Sequence, residues 1–255
     1  MSTKTKPMKS SRSRFYLIIT FVLLLFVLVG FTRTFYLRPF FEQPERWQLD
    51  RLPTVYFIHG SILTAWFILL VLQSALVNIR KVSVHKKLGY AMVGLAVLVV
   101  ITGVQVVMDS KPRSIRMGLL NPENIEEMRG QSIPLFLDLL SLVVFVFGLG
   151  IAFVYRKVPI LHRTAILIGS MAFMVVALVR ATFFVFPESG LLLAAILFFL
   201  LPISLIIHDW AFLKRFPKYA FVGLVLLALM VPFAFFISST DWGYQFFLTY
   251  LSGLD

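Results

Sequence analysis

The chain has four histidines and no cysteine, so any metal or proton chemistry falls to imidazole, carboxylate and phenol, and thiolate sites are excluded. Two of the histidines sit in matching surroundings. Arg80-Lys81-Val82-Ser83-Val84-His85-Lys86 and Arg156-Lys157-Val158-Pro159-Ile160-Leu161-His162-Arg163 share the order Arg-Lys-Val, a short spacer, His and a base. If each His opens a helix running in the same direction, His85 and His162 face one another at equal depth. Two such imidazoles are the axial ligand set of a b-type haem, and Lys86, Lys87 and Arg163 stand by for its propionates. His208 and Asp209 would instead complete a tetrahedral site for zinc or another metal. The bland alternative is that each His is an amphipathic residue at a membrane edge.

A second polar set is His59, Gln105, Asp138 and Arg180, each inside an otherwise apolar stretch. Ionisable residues are costly in a bilayer and usually face the bundle interior. Asp138 and Arg180 fall on consecutive antiparallel stretches at similar depth, so an ion pair between them is expected, because an unpaired buried charge costs several kcal/mol. With His59 and Gln105 the pair would form an anion or proton site. The short His-x-x-x-His spacing, the glycine-rich phosphate loop and the Gly-x-Ser-x-Gly elbow are all absent.

The elements that must position these residues follow from composition. Of 255 residues, 59% are hydrophobic and 14% charged, against roughly 45 to 50% and about 25% in soluble domains. The apolar residues come in blocks of the ~20 residues a bilayer span needs: Phe15 to Phe31, Val55 to Val77, Leu88 to Val107, Pro134 to Val154, Thr164 to Phe186, Leu191 to Leu213 and Tyr219 to Ile237. Each must be a helix, since lipid offers the backbone no partners. The fold class is therefore all-α, a polytopic bundle of seven transmembrane helices over 15–237, with a basic tail at 1–14 and an interfacial segment at 238–255. The tail reads as a membrane anchor's flank and not a signal peptide, because Arg33 to Arg38 follow the first block where small cleavage-site residues would be needed.

Orientation follows from Lys and Arg. With the tail inside, the inner segments carry 15 of them and the outer segments 8, which places the N-terminus in the cytosol and the C-terminus outside the cell (inner) membrane. Basic inner loops suit anionic lipid headgroups, so the net charge of +12 calls for no nucleic-acid partner. The two Arg-Lys-Val loops suggest an internal repeat, one helix followed by three helical hairpins. Asn121, Pro122, Glu123 and Gly130 read as a separate short surface helix, and Asp241 as the cap of a final aromatic turn. Gly148 and Ala152 give a small-xxx-small face for close helix packing.

Tyr36-Leu37-Arg38-Pro39, His59-Gly60, Thr64-Ala65-Trp66, Gln73, His85-Lys86-Lys87-Leu88-Gly89, Asp138, His162-Arg163, Arg180 and Asp209 occur in that order along most of the chain. In them the chain resembles a group of small bacterial multi-pass integral membrane proteins of unknown function. It departs from that group at His208, where Tyr is frequent, and at Pro217-Lys218, where the group has His-Pro. The resemblance implies a bacterial membrane and no mechanism. Three functional readings remain: a redox protein binding haem b or a metal through the inner histidines, an accessory subunit packing against other membrane subunits, and a transporter using the outer Asp, Arg and His.

Overall fold

A computed structural model describes residues 9–43, 52–214 and 216–252. Lys4, Lys6, Arg46, Arg51 and Arg215, with residues 253–255 of the expected interfacial segment, lie outside them. The described residues form helices α1 (Lys9–Phe31), α2 (Thr54–Asn78), α3 (Val82–Arg116), α4 (Ile125–Val154), α5 (Pro159–Met171), α6 (Met174–Phe183), α7 (Gly190–Leu213), α8 (Lys218–Ser239) and α9 (Asp241–Ser252). Six of these are long and apolar enough to cross a membrane, and there are seven if the bent pair α5 and α6 is counted as one span. The chain is thus a multi-pass helical membrane protein. The face at which α1 begins is called the near face below, and the opposite one the far face.

The surface is apolar where a soluble protein would be polar. Phe21, Phe147, Leu191, Val222 and Phe236 are each more than half exposed, and only lipid covers such a surface without penalty. The interior is built by close approach, because lipid supplies no hydrophobic drive between helices. Gly148 on α4 meets α5 so closely that a Cβ would stand 2.7 Å from the Ala165 carbonyl oxygen and 3.1 Å from Gly169 Cα. Gly30 on α1 rests in the same way on the Ala177 carbonyl of α6. Around these seams Leu23, Phe67, Phe145, Met171, Met174 and Leu178 are fully buried.

The fifth span is broken. Its halves meet at 46°, with no proline in the break. Ser141 Oγ of α4 shares its proton between Leu137 O of its own helix at 2.9 Å and the Ala172 carbonyl at 3.2 Å, and Phe173 N turns to Ser170 O at 3.4 Å; a side chain entering the ladder in this way is an ordinary cause of a kink. Trp66 Nε1 donates to Ser170 Oγ at 3.2 Å, so the polar groups at the break are held by α2 and α4.

Two sequence expectations at the far face are corrected. No separate surface helix forms at Asn121 to Gly130. Asn121 Oδ1 accepts from Glu123 N in a tight turn, Asn124 caps the helix by accepting from Glu127 N at 3.1 Å, and α4 then runs through Gly130 and Pro134 into the span. A mid-helix glycine costs only about 1 kcal/mol, less than burying Met128 and Leu135 against the bundle returns. Asp241 is not the cap of α9 either: Thr240 Oγ1 accepts from Gly243 N at 3.0 Å. The final helix docks on the bundle by burying Phe247 and Tyr250, whose hydroxyl shares its one proton between the carbonyls of Val107 and Met108 at 3.0 and 2.9 Å. Burial pushes the Tyr250 phenol up to about 12, so it donates at any ordinary pH.

At the near face the turn after α2 closes as a Schellman motif, with Lys81 N bonded to Leu76 O at 2.8 Å and Arg80 N to Val77 O at 3.1 Å. Its left-handed position, usually glycine, is Arg80 at φ 63°, and Lys214 after α7 repeats the choice at φ 55°. A non-glycine residue there costs roughly 1–2 kcal/mol, so these near-face loops carry a cation where the backbone favours glycine.

Candidate functional site

The two Arg-Lys-Val loops deliver their histidines to the same helical position. Lys81 is the N-cap of α3 and Val158 that of α5; His85 N bonds to Lys81 O at 3.1 Å and His162 N to Val158 O at 2.9 Å. Each imidazole is therefore four residues past its cap, at the near-face end of a helix running to the far face. The rings meet with centroids 6.4 Å apart and planes at 84°, bridging the hairpins α2–α3 and α4–α5.

Their surroundings differ. His162 Nδ1 lies 2.8 Å from the Ala152 carbonyl oxygen. A carbonyl can only accept, so that nitrogen carries a proton, and in the neutral ring the lone pair is on Nε2. This is the outer-shell bond that orients most metal-bound histidines. His85 Nδ1 is buried and makes no hydrogen bond, and neither does Gln73 Oε1 on the neighbouring α2. Gln73 Nε2 reaches the spot where a side chain on Gly89 would begin, 3.7 Å from that Cβ position. The near-face ends of α2, α3 and α5 thus bring together the two histidine rings and two buried atoms, His85 Nδ1 and Gln73 Oε1, that make no hydrogen bond.

His208 and Asp209 do not join this pair. Asp209 is 2% exposed and lies in a network linking α1, α5 and α7. Its Oδ1 accepts from the Tyr16 hydroxyl and from Arg163 Nη2 at 3.2 Å, and it lies 3.2 Å from His208 Nδ1. The His208 ring stacks on Phe15 at 3.8 Å, and the Arg163 guanidinium covers the Tyr16 ring at 4.1 Å. Among the described residues no group of three His, Asp or Glu comes together as a metal ion would require. Arg163 is accordingly committed to Asp209, and Lys86 and Lys87 remain as exposed near-face cations beside His85. Tyr16 escaped sequence reasoning, since a phenol at the start of a span reads as an ordinary interfacial aromatic.

The far-face set is partly dispersed. Gln105 is on the exposed side of α3, while Thr102 and Gly103, less than one turn away, carry the inward face. His59 Nδ1 lies 3.0 Å from Thr102 Oγ1. Because that hydroxyl already donates to Leu98 O at 2.7 Å, the imidazole nitrogen is the donor. The expected ion pair of Asp138 and Arg180 is not formed among the described residues. Arg180 Nη1 donates to Thr34 Oγ1 at 2.9 Å and stacks on Phe31 at 4.9 Å. Asp138 instead lies within the fields of Lys111 and Arg180, and Lys111 Nζ bonds Gln131 Oε1 at 2.6 Å. Thr34 reaches Arg180 because the end of the first span winds into a π-helical turn, Thr32–Tyr36, which also sends Tyr36 OH to Thr64 Oγ1 at 2.6 Å. Such turns are set by local strain and neighbours and carry no sequence signature.

Two chemical possibilities follow from the geometry. The near-face histidines meet ring against ring, and the Asp209 network is a buried cluster that suits anchoring of α1. No family model, curated protein or solved structure matches this chain.

Proposed function

We propose that this membrane protein binds an imidazole-liganded metal centre, haem iron foremost, between His85 and His162. The observation carrying the proposal is that two rings at the same position of two parallel helices meet at 6.4 Å, one of them oriented by a backbone carbonyl. Iron bound between two imidazoles holds their nitrogens about 4 Å apart, two bonds of about 2 Å. The edge-to-face rings would turn so that His162 Nε2 and a His85 nitrogen face a common iron. Lys86 and Lys87 would meet the propionates. Two imidazoles complete the axial set of a haem, whereas a closed zinc site needs four protein ligands.

The test is an absorption spectrum with metal analysis of the full chain purified from cells supplied with a haem precursor. A Soret band typical of two nitrogen ligands is expected, lost in His85→Ala and in His162→Ala and retained in His59→Ala. Protein that is colourless, free of metal and unchanged on titration with hemin would end the proposal. A non-haem metal found at one per chain and lost in both variants would retain the site and replace the haem.

The reading places the pair at the cytoplasmic side of a cell membrane, supported by 15 Lys and Arg in the near-face segments against 8 in the far-face ones. The same near-face charge would draw anionic lipids to that surface. Reporter fusions at Ser2 and Asp255 should score cytoplasmic and external respectively. A cytoplasmic score at Asp255, or an external one at Ser2, contradicts it.

A further inference from the structure

We infer that the near-face end of α7 binds an anionic phospholipid, with its headgroup at Lys214 and an acyl chain along Ile207, Trp210 and Ala211. These residues line a shallow groove of about 380 Å³. Their spacing of i, i+3, i+4 and i+7 puts them on one face of the helix. Ile207 is 63% exposed and Trp210 59%, and the small side chain of Ala211 beside these two large ones leaves the gap. The groove lies on a helix long and apolar enough to cross the membrane, so what fills it in a bilayer is hydrocarbon. An indole beside a lysine at the end of a span also suits the depth at which headgroups begin.

The cation at the end of the groove selects the headgroup. Lys214 closes α7 in the left-handed conformation, φ 55° and ψ 25°, with its N–H on the Trp210 carbonyl at 3.0 Å. That backbone position favours glycine, and a lysine kept there against the preference points to a use for its ammonium. The use is not an internal ion pair. Among the described residues no carboxylate pairs with Lys214, and Asp209, the one acid of the near-face segments, is buried and bound to Tyr16 and Arg163. Lys218, in the same connection, is a second exposed cation. The counter-charge must therefore come from outside the chain, and at a membrane surface the abundant anion is a lipid headgroup. A zwitterionic lipid fills the groove equally well but offers Lys214 no net charge. Arg80 holds the other left-handed turn but lines no part of this groove.

The experiment titrates the full chain in neutral detergent with phosphatidylglycerol carrying brominated acyl chains, against phosphatidylcholine with the same chains. Bromine quenches tryptophan on contact, so a chain in the groove is read at Trp210. Saturable quenching is expected at a lower mole fraction of phosphatidylglycerol than of phosphatidylcholine, and Trp210→Phe should remove the saturable component. Lys214→Gly should raise the phosphatidylglycerol midpoint roughly fivefold, the worth of one basic residue at an anionic surface. Ala211→Leu fills the groove from an exposed position and keeps every charge, and it should raise the midpoint as well. Arg80→Gly should leave it in place. Without lipid, Lys214→Gly should melt no lower than the parent, because glycine suits that backbone better. Equal midpoints for the two lipids, saturable quenching that survives Trp210→Phe, an unchanged midpoint in either Lys214→Gly or Ala211→Leu, or an equal shift in Arg80→Gly overturns the site. A lower lipid-free melt of Lys214→Gly overturns it too, since the lysine would then serve the fold.

Discussion

Replacing Asp209 with alanine is expected to lower the stability of the protein by about 3–5 kcal/mol, the usual cost of removing one partner from a buried charged pair. The carboxylate is almost wholly buried and ties Tyr16, Arg163 and His208 together. Its loss leaves Arg163 partly buried without that counter-charge and frees the start of α1 from α7. Tyr16→Phe removes the hydroxyl's bond to the carboxylate and its 3.4 Å contact with His208 Nδ1 but leaves the carboxylate in place, and should cost less, about 1.5–3 kcal/mol. Because both act on one carboxylate oxygen, the double variant should fall short of the sum. Melting followed by intrinsic tryptophan fluorescence reads this directly, since Trp210 adjoins Asp209. Strictly additive losses, or a melt of Asp209→Ala equal to that of the parent, would show that the network does not hold the helices together.

Gly30→Val should destabilise nearly as much. A Cβ at Gly30 falls on the Ala177 carbonyl oxygen and its backbone neighbours in α6, and backbone cannot step aside as a side chain can. Overpacking ordinarily costs 1–3 kcal/mol, occasionally more, so a drop of roughly 5 to 10 °C in melting temperature is expected. The matched control is Gly94→Ala on α3, where a Cβ meets nothing within 4 Å; it should be neutral or slightly stabilising, since alanine is the better helix former. Equal melting of the two variants would mean that α1 and α6 do not approach as closely as described.

Much of the fold was legible in the sequence because the bilayer imposes one strong rule. An apolar block of about 20 residues has only the helix open to it, so all seven spans could be placed, and the basic loops mark the near-face ends. The convergence of His85 and His162 was legible for a related reason: a repeated loop places its residues at the same turn of parallel helices, and depth along a span can be counted. Rotation about the helix axis could not be read. Spans such as α1 and α8 are apolar on every side, so nothing in their pattern says which face turns inward. Gln105 and Thr102 lie within one turn of α3, yet one is exposed and the other meets His59.

Partner choice among charges was hidden for the same reason. The cost of burying Asp138, Arg180 or Asp209 demands a compensating group, and depth narrows the field without choosing within it. Arg180 met Thr34 because a π-helical turn rotates the end of the first span toward α6, and Asp209 met Tyr16 because α1 packs beside α7. The break at Ala172 and Phe173 belongs to the tertiary structure as well, since the hydroxyl that takes the Ala172 carbonyl is carried by Ser141 on another helix. Composition and spacing by themselves determined the membrane, the helical class and the order of the apolar stretches, all of which follow from transfer free energies along one axis. The azimuth of each helix, and with it every side-chain partnership, was decided only when the helices packed, because close contact between small residues depends on both surfaces at once.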